Sequence, residues 1–98
     1  MYKLLIFLHK TDNDEIVSHF NEYTVKYLSD LSGKTVKVAD VESSLLLDVK
    51  YSKFCEITVD SKGVWDKMIN SKEGRLLNKD IMDFHQFITL IFVDYNNQ

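Results

Sequence analysis

The sequence predicts a single α+β domain in which helices cover one face of a four-stranded antiparallel sheet. Its 98 residues are enough for one hydrophobic core but not for two. Hydrophobic residues make up 45% of the chain and charged residues 28%, as in a folded protein rather than a disordered one. Strand-like and helical segments follow one another in the order β-α-β-β-α-β, and this order indicates the fold class.

The first strand and the first helix lie next to each other in the sequence. Residues 2–10 include the apolar run Leu4–Leu8, which is typical of a strand with two apolar faces. The polar residues after it can cap a helix, and Asp12 and Glu15 have the spacing of a capping box. Apolar residues then recur every three or four positions, so we expect an amphipathic helix that ends at Gly33.

The middle of the chain predicts two more strands. Alternating valines over residues 34–42 favour a second strand, and their change of phase at Ala39-Asp40 indicates a bulge or a strand end. Residues 43–49 are compatible with a loop or with a strand extension. Residues 51–60 predict a third strand, with three apolar side chains on one face: Cys55, Ile57 and Val59.

The last third of the chain predicts a divided helix and a final strand. The helix begins near Ser61, is interrupted at residues 70–74, and can restart with Ser71 as its cap. Residues 87–93 form the final strand. The whole order is that of a ferredoxin-like βαββαβ fold, with the first and third strands at the centre of the sheet.

Two strands of this sheet are apolar on both faces, although two helices can cover only one face. The first strand places Leu5 and Phe7 opposite its other apolar side chains, and the last strand shows the same excess. An uncovered apolar patch of this size marks an interface. We therefore expect a homodimer that packs sheet face against sheet face. A partly exposed sheet surface is the alternative.

Composition excludes several classes of protein. The formal charge of −3 provides no positive field for nucleic acid. A single cysteine rules out an intramolecular disulfide and a multi-cysteine zinc site, and the scattered histidines favour no metal site. Leu4–Leu8 is too short for a membrane span or a signal-peptide core. We expect a cytoplasmic protein with no membrane partner and no organic cofactor, since no glycine-rich phosphate loop is present.

Two residues are candidates for acid–base catalysis, each with a structural alternative. His9 ends the first strand, where an imidazole could face a cavity or make only a structural hydrogen bond. Asp80 lies beside the apolar stripe of the last helix, where it could be a cavity acid or point outward. Four aromatic residues could line a ligand pocket or pack in the core: Tyr23, Tyr51, Phe54 and Trp65.

The remaining histidines and the cysteine favour structural roles. His85 follows the last helix and can bind its C-terminal carbonyls. His19 is offset from the apolar stripe of the first helix, so we expect it in solvent. Cys55 shares a face with Ile57 and Val59, as a small buried hydrophobic residue would.

Three segments resemble the EthD-type family of the dimeric α+β barrel superfamily. Residues 2–8 are similar to its opening strand, and residues 14–33 to its first helix and closing glycine. Residues 71–84 resemble its segment of serine, glutamate, glycine, aspartate and phenylalanine. The resemblance covers nearly the whole chain and implies a dimeric α+β barrel. Members of the superfamily include cofactor-light monooxygenases, lactone isomerases and polyketide-tailoring proteins.

One departure from the family bears on function. EthD-type sequences often carry a His-Ala-Pro step in the first helix, where this chain has Thr24-Val25-Lys26. The resemblance therefore implies a fold more strongly than a reaction. We expect a small enzyme that acts on a compact apolar or aromatic metabolite by proton transfer or cofactor-free oxidation, in a pocket between sheet and helices. The alternatives are a non-catalytic ligand-binding module and a structural dimer with a solid interior.

Overall fold

A computed structural model describes residues 1–43 and 48–95. The elements in chain order are β1 (Tyr2–His9), α1 (Asp14–His19), a π-helical turn (Phe20–Thr24), α2 (Val25–Ser32), β2 (Ala39–Asp40), β3 (Tyr51–Val59), α3 (Lys62–Ile69), α4 (Lys72–Asp83), a 3₁₀ turn (His85–Phe87) and β4 (Ile88–Asp94). The four strands form one antiparallel sheet in the order β2-β3-β1-β4. The predicted ferredoxin-like α+β fold, with β1 and β3 at the centre, is confirmed.

The core lies between the helices and one face of the sheet. Side chains of β1 alternate between buried and half-buried positions, because successive residues of a strand point to opposite faces. Ile6, which is fully buried, has Cys55 of β3 and Leu90 of β4 as its cross-strand neighbours. The core consists of Tyr2, Leu4, Ile6, Leu8, Phe20, Leu28, Cys55, Ile57, Trp65, Leu77 and Ile88.

The opposite face of the sheet carries no helix in the described part of the chain, and we call it the outer face. Its central residues on β1 are Leu5 and Phe7, which are half-buried. Leu5 lies opposite Ile91, and Phe7 lies opposite Phe54. The apolar excess predicted from the sequence is therefore present on this face.

The helix ends follow the expected chemistry with one correction. The N-cap of α1 is Asn13 rather than Asp12, because the Asn13 side chain accepts a 3.0 Å hydrogen bond from the Glu15 N–H. Gly33 ends α2 with φ of 71°, a conformation that glycine adopts without strain. Ser61 and Ser71 cap α3 and α4 as predicted. No helix within residues 1–43 and 48–95 is long and apolar enough to cross a membrane.

The second strand is much shorter than predicted. Alternation over residues 34–42 predicts a full strand, but only Ala39 and Asp40 form strand pairs with β3, and the Val41 N–H adds one 2.9 Å hydrogen bond to the Ser52 carbonyl. The Val36 N–H instead donates to the Ser29 side chain at 3.0 Å, which ties this segment to α2. Val36 and Val38 pack on the core without forming a ladder, so their period of two reflects burial alone. Part of the ambiguous stretch 43–49, residues 44–47, lies outside the described residues.

Candidate functional site

A buried carboxylate joins the first helix to α4. Asp80 of α4 is only 6% exposed. Its Oδ1 is bound by Nε2 of His19, and its Oδ2 accepts a 2.6 Å hydrogen bond from the hydroxyl of Thr24, which is fully buried. A carboxylate only accepts hydrogen bonds, so Nε2 of His19 is the donor. The pair resembles the oriented histidine of many acid–base sites.

The π-helical turn places both partners of Asp80 on one side of the first helix. His19 and Thr24 are five residues apart, and in a regular α-helix such residues point about 140° away from each other. Here the Val25 N–H donates to the Phe20 carbonyl, five residues back, so the turn is wider. His19 and Thr24 therefore both reach the same carboxylate.

Aromatic rings enclose the His19 imidazole on the helix side of the sheet. It stacks on Phe84, with ring centroids 3.9 Å apart, and on Tyr23 at 5.2 Å. The His19 side chain remains 25% exposed. It opens into a surface cleft of about 480 Å³ that is lined by Asp14, Glu15, Ile16, Ser18, His19, Glu22, Tyr23 and Phe84.

The second ring nitrogen of His19 is available for chemistry. Nδ1 has no hydrogen-bond partner among the residues that the structure describes, and no buried side-chain nitrogen or oxygen there lacks a partner. Nδ1 is therefore open to solvent. An imidazole held by a carboxylate through one nitrogen can take up a proton at the other, and the carboxylate then stabilises the imidazolium.

The space between the sheet and the helices does not form the predicted pocket beside this cluster. About 150 Å³ of empty volume lies there, but it has no room for a water molecule. Its lining residues are Leu8, Ile16, His19, Phe20, Thr24, Phe84, Phe87 and Ile88. A ligand of this site would have to bind in the open cleft.

His9 belongs to a different cluster, on the outer face of the sheet. Its Nε2 lies 2.6 Å from the Thr89 hydroxyl, and its ring lies 5.6 Å from that of Tyr51. The pairing register of β1 and β3 shifts between Leu8 and His9, and such an irregularity re-aims a side chain. Phe7 packs on Tyr51 and Phe54, with ring centroids 4.7 and 5.1 Å away.

The six residues predicted from the sequence thus fall into three places. Asp80 and Tyr23 flank His19 on the helix side, whereas His9, Tyr51 and Phe54 lie on the outer face. Trp65 is buried on the helix side, and its ring meets Phe92 edge-on at 5.6 Å. Sequence spacing alone could not distinguish these surfaces.

His19 lies only partly in solvent, because its Nε2 is bound to Asp80, whereas the expectation of an exposed side chain assumes an unbroken α-helix. With 3.6 residues per turn His19 falls off the apolar stripe, and only the π-helical turn brings it to Asp80. His85 takes the predicted role, since its Nδ1 lies 3.0 Å from the Met82 carbonyl at the end of α4.

Cys55 is buried, as predicted. Burial raises the pKa of its thiol from 9.0 to about 12, and the neighbouring Glu56 carboxylate adds to the rise. A thiol with this pKa stays protonated near neutral pH and is a poor nucleophile.

Comparison with solved structures agrees with this architecture. An ethyl tert-butyl ether D (EthD) family protein from Bacillus halodurans is similar to the chain with a TM-score of 0.80. The two share 20% sequence identity, and the match covers 98% of this chain and 99% of that one. This chain has the fold of that EthD family protein. No protein-family model and no curated protein matches the sequence.

A second solved structure is similar to this chain with a lower TM-score. It is a protein from Arabidopsis thaliana, with a TM-score of 0.62 and 16% identity over 99% of this chain and 94% of that one. The Thr24 hydroxyl and the His19 imidazole here share one carboxylate.

Proposed function

We propose that this chain is an EthD-type protein and a small enzyme that transfers a proton on a compact apolar or aromatic metabolite. His19 is the general base and acid, and Asp80 orients it. The observation that carries the proposal is the hydrogen bond between His19 and the buried Asp80 carboxylate, beside an open cleft with two aromatic rings. The sequence-based choice of His9 stays a prediction.

Each group of the cleft has a chemical task in this reaction. The rings of Tyr23 and Phe84 offer apolar surface to a flat substrate. Nδ1 of His19 removes a proton from a carbon next to a carbonyl, and the electrons of that C–H bond form an enolate. Asp80 stabilises the imidazolium, which returns the proton to the same or another carbon. In a cofactor-free oxidation, dioxygen would instead take up two electrons of the enolate and form a carbon–oxygen bond, and the resulting peroxide would take the proton from the imidazolium.

Hydrogen–deuterium exchange tests this assignment before the natural substrate is identified. A panel of aromatic and aliphatic ketones and lactones is incubated with the protein in D₂O, and NMR follows loss of the C–H signal. We expect His19→Ala to slow exchange about 10²- to 10⁴-fold, the usual contribution of a general base. His85→Ala is the matched control, because His85 only binds a helix-end carbonyl. Equal rates for His19→Ala and the wild type would refute the assignment.

A non-catalytic ligand-binding protein is the second candidate function. Two observations favour it. The cleft is open to solvent, and the packing of sheet and helices leaves no room for water beside Thr24. In this case members of the panel bind, with shifts of the Tyr23 and Phe84 signals, but no deuterium is incorporated. Absence of binding as well as exchange would favour a structural dimer.

We also propose that two copies pair through the outer face of the sheet. The support is an apolar surface formed by Leu5, Phe7, Tyr51, Phe54, Ile91 and Val93. Ile91, which lies beside Leu5 on the edge strand β4, is 43% exposed. Exposed apolar surface of this kind is typical of interfaces, and the Lys3–Glu56 ion pair lies on the same face. A reducing cytoplasm is the compartment we propose, because the only cysteine is a free thiol.

Light scattering after size exclusion tests the dimer. We expect a dimer for the wild type and a monomer for Phe7→Lys, because the interface would bury an unpaired charge. Met82→Lys is the matched control, since Met82 is 65% exposed on α4 and lies away from the sheet. A wild-type monomer at micromolar concentration would contradict the interface.

A further inference from the structure

We propose that Thr24 is a positioning residue: its hydroxyl fixes the Asp80 carboxylate so that neutral His19 keeps its proton on Nε2 and Nδ1 stays free. The inference rests on the proposed function in naming Nδ1 as the reacting atom. The arrangement itself is independent of any substrate. Thr24 touches Asp80 and not the cleft, so it would act through the two other groups.

The carboxylate of Asp80 is buried. Asp80 is 6% exposed and Thr24 is fully buried, so the protein itself must satisfy Oδ2. The Thr24 hydroxyl does so at 2.6 Å. A buried carboxylate oxygen that lost this donor would be left unsatisfied, which is costly at low dielectric.

The hydrogen bond from Thr24 sets the orientation of this carboxylate. With Oδ2 held by Thr24, Oδ1 faces the His19 ring and accepts from Nε2. Without the hydroxyl, the carboxylate can turn about its terminal torsion, which is broad and two-fold. The carboxylate would then hold the proton on Nε2 of His19 less strongly, and the tautomer with the proton on Nδ1 would gain population.

The helix geometry brings Thr24 to this carboxylate. Thr24 meets the same carboxylate as His19 only because the π-helical turn brings residues five apart onto one side of the helix. Turns of this kind are rare and occur often at functional sites. A role for Thr24 in orienting the imidazole gives the turn a chemical purpose.

The experiment measures the tautomer of His19 in the full chain, without a substrate. The ¹⁵N shifts of both ring nitrogens are recorded in ¹⁵N-labelled protein at a pH where His19 is neutral. We expect Thr24→Val to lower the ratio of the Nε2–H to the Nδ1–H tautomer by about five-fold, the factor for loss of one hydrogen bond. Thr24→Ser should restore the wild-type ratio, because serine retains the hydroxyl.

Thr35→Val is the matched control, since Thr35 is exposed and distant in sequence from Asp80. Thr24→Ala is measured as well, in case valine prevents folding at this buried position. An unchanged tautomer ratio in Thr24→Ala or Thr24→Val, or failure of Thr24→Ser to restore it, would overturn the proposal. The exchange experiment with His19→Ala is separate, so the proposed function and the role of Thr24 can fail independently.

Discussion

The two faces of the sheet each hold a histidine, and the partners of the two rings differ. On the helix side, Nε2 of His19 binds the buried carboxylate of Asp80. On the outer face, Nε2 of His9 meets the half-buried hydroxyl of Thr89. A carboxylate stabilises the protonated imidazole, and in the neutral ring it keeps the proton on the nitrogen that it binds. A hydroxyl can donate or accept, so it selects neither the protonated ring nor one tautomer of the neutral ring. Proximity to aromatic rings, which both histidines have, therefore does not distinguish them.

Removal of the hydrogen-bond partner of each histidine should give the largest difference in the free energy of unfolding between the two clusters. Asp80→Ala removes two hydrogen bonds to a buried charged group, so we expect it to lower the free energy of unfolding by about 2–4 kcal/mol. Thr89→Ala removes one half-buried bond and should cost about 1 kcal/mol. Urea unfolding at one fixed protein concentration measures both. Asp83→Ala, an exposed change on the same helix, should stay within about 0.5 kcal/mol. Equal costs for Asp80 and Thr89 would mean that the clusters do not differ in energy.

Burial on the helix side of the sheet can also be tested through the pH dependence of stability, because Cys55 points to the buried face of β3. Its pKa is about 12 in the folded chain and 9.0 without burial. Between these values the unfolded chain loses the thiol proton while the folded chain keeps it. Stability is therefore complete below pH 9 and falls as the pH rises. We expect a loss of about 1.4 kcal/mol at pH 10 relative to Cys55→Ala. Parallel pH profiles for the two proteins would show that the thiol is not buried in solution.

The π-helical turn gives the smallest expected effect and the sharpest geometric test. Deletion of the exposed Asn21 leaves His19 and Thr24 four residues apart, which is one turn of an ordinary α-helix. We expect the free energy of unfolding to change by less than about 1 kcal/mol and the Nε2–H tautomer of His19 to persist. Insertion of an alanine after Asn21 should instead abolish that tautomer preference. Loss of the preference in the deletion would show that helix geometry is not what brings His19 to Asp80.

The regular parts of this fold follow from the sequence because local chemistry determines them. Gly33, Ser61 and Ser71 mark helix ends through backbone groups within a few residues, and the structure confirms all three. The second strand was predicted too long, since a period of two reports burial and not pairing. Whether a segment forms a ladder depends on a neighbour that is distant in the sequence.

The candidate site was harder to predict for the same reason. Asp80 could be singled out because it lies beside an apolar stripe, but its partners are 56 and 61 residues away. His19 was missed because no local pattern reveals a π-helical turn. The sequence offers His9 or Asp80 as the proton-transfer group of one pocket, whereas the structure places the two residues in different clusters, one on each face of the sheet.

The central position of β1 has a consequence for synthesis. It leaves the ribosome before both of its partner strands, since Leu8 pairs with Lys53 on one side and Ile88 on the other. At about 5–20 residues per second, the last of these partners follows Leu8 by about 4–16 s. Until β4 is made, at least one edge of this apolar strand is unpaired, and such an edge is the kind of segment that chaperones protect.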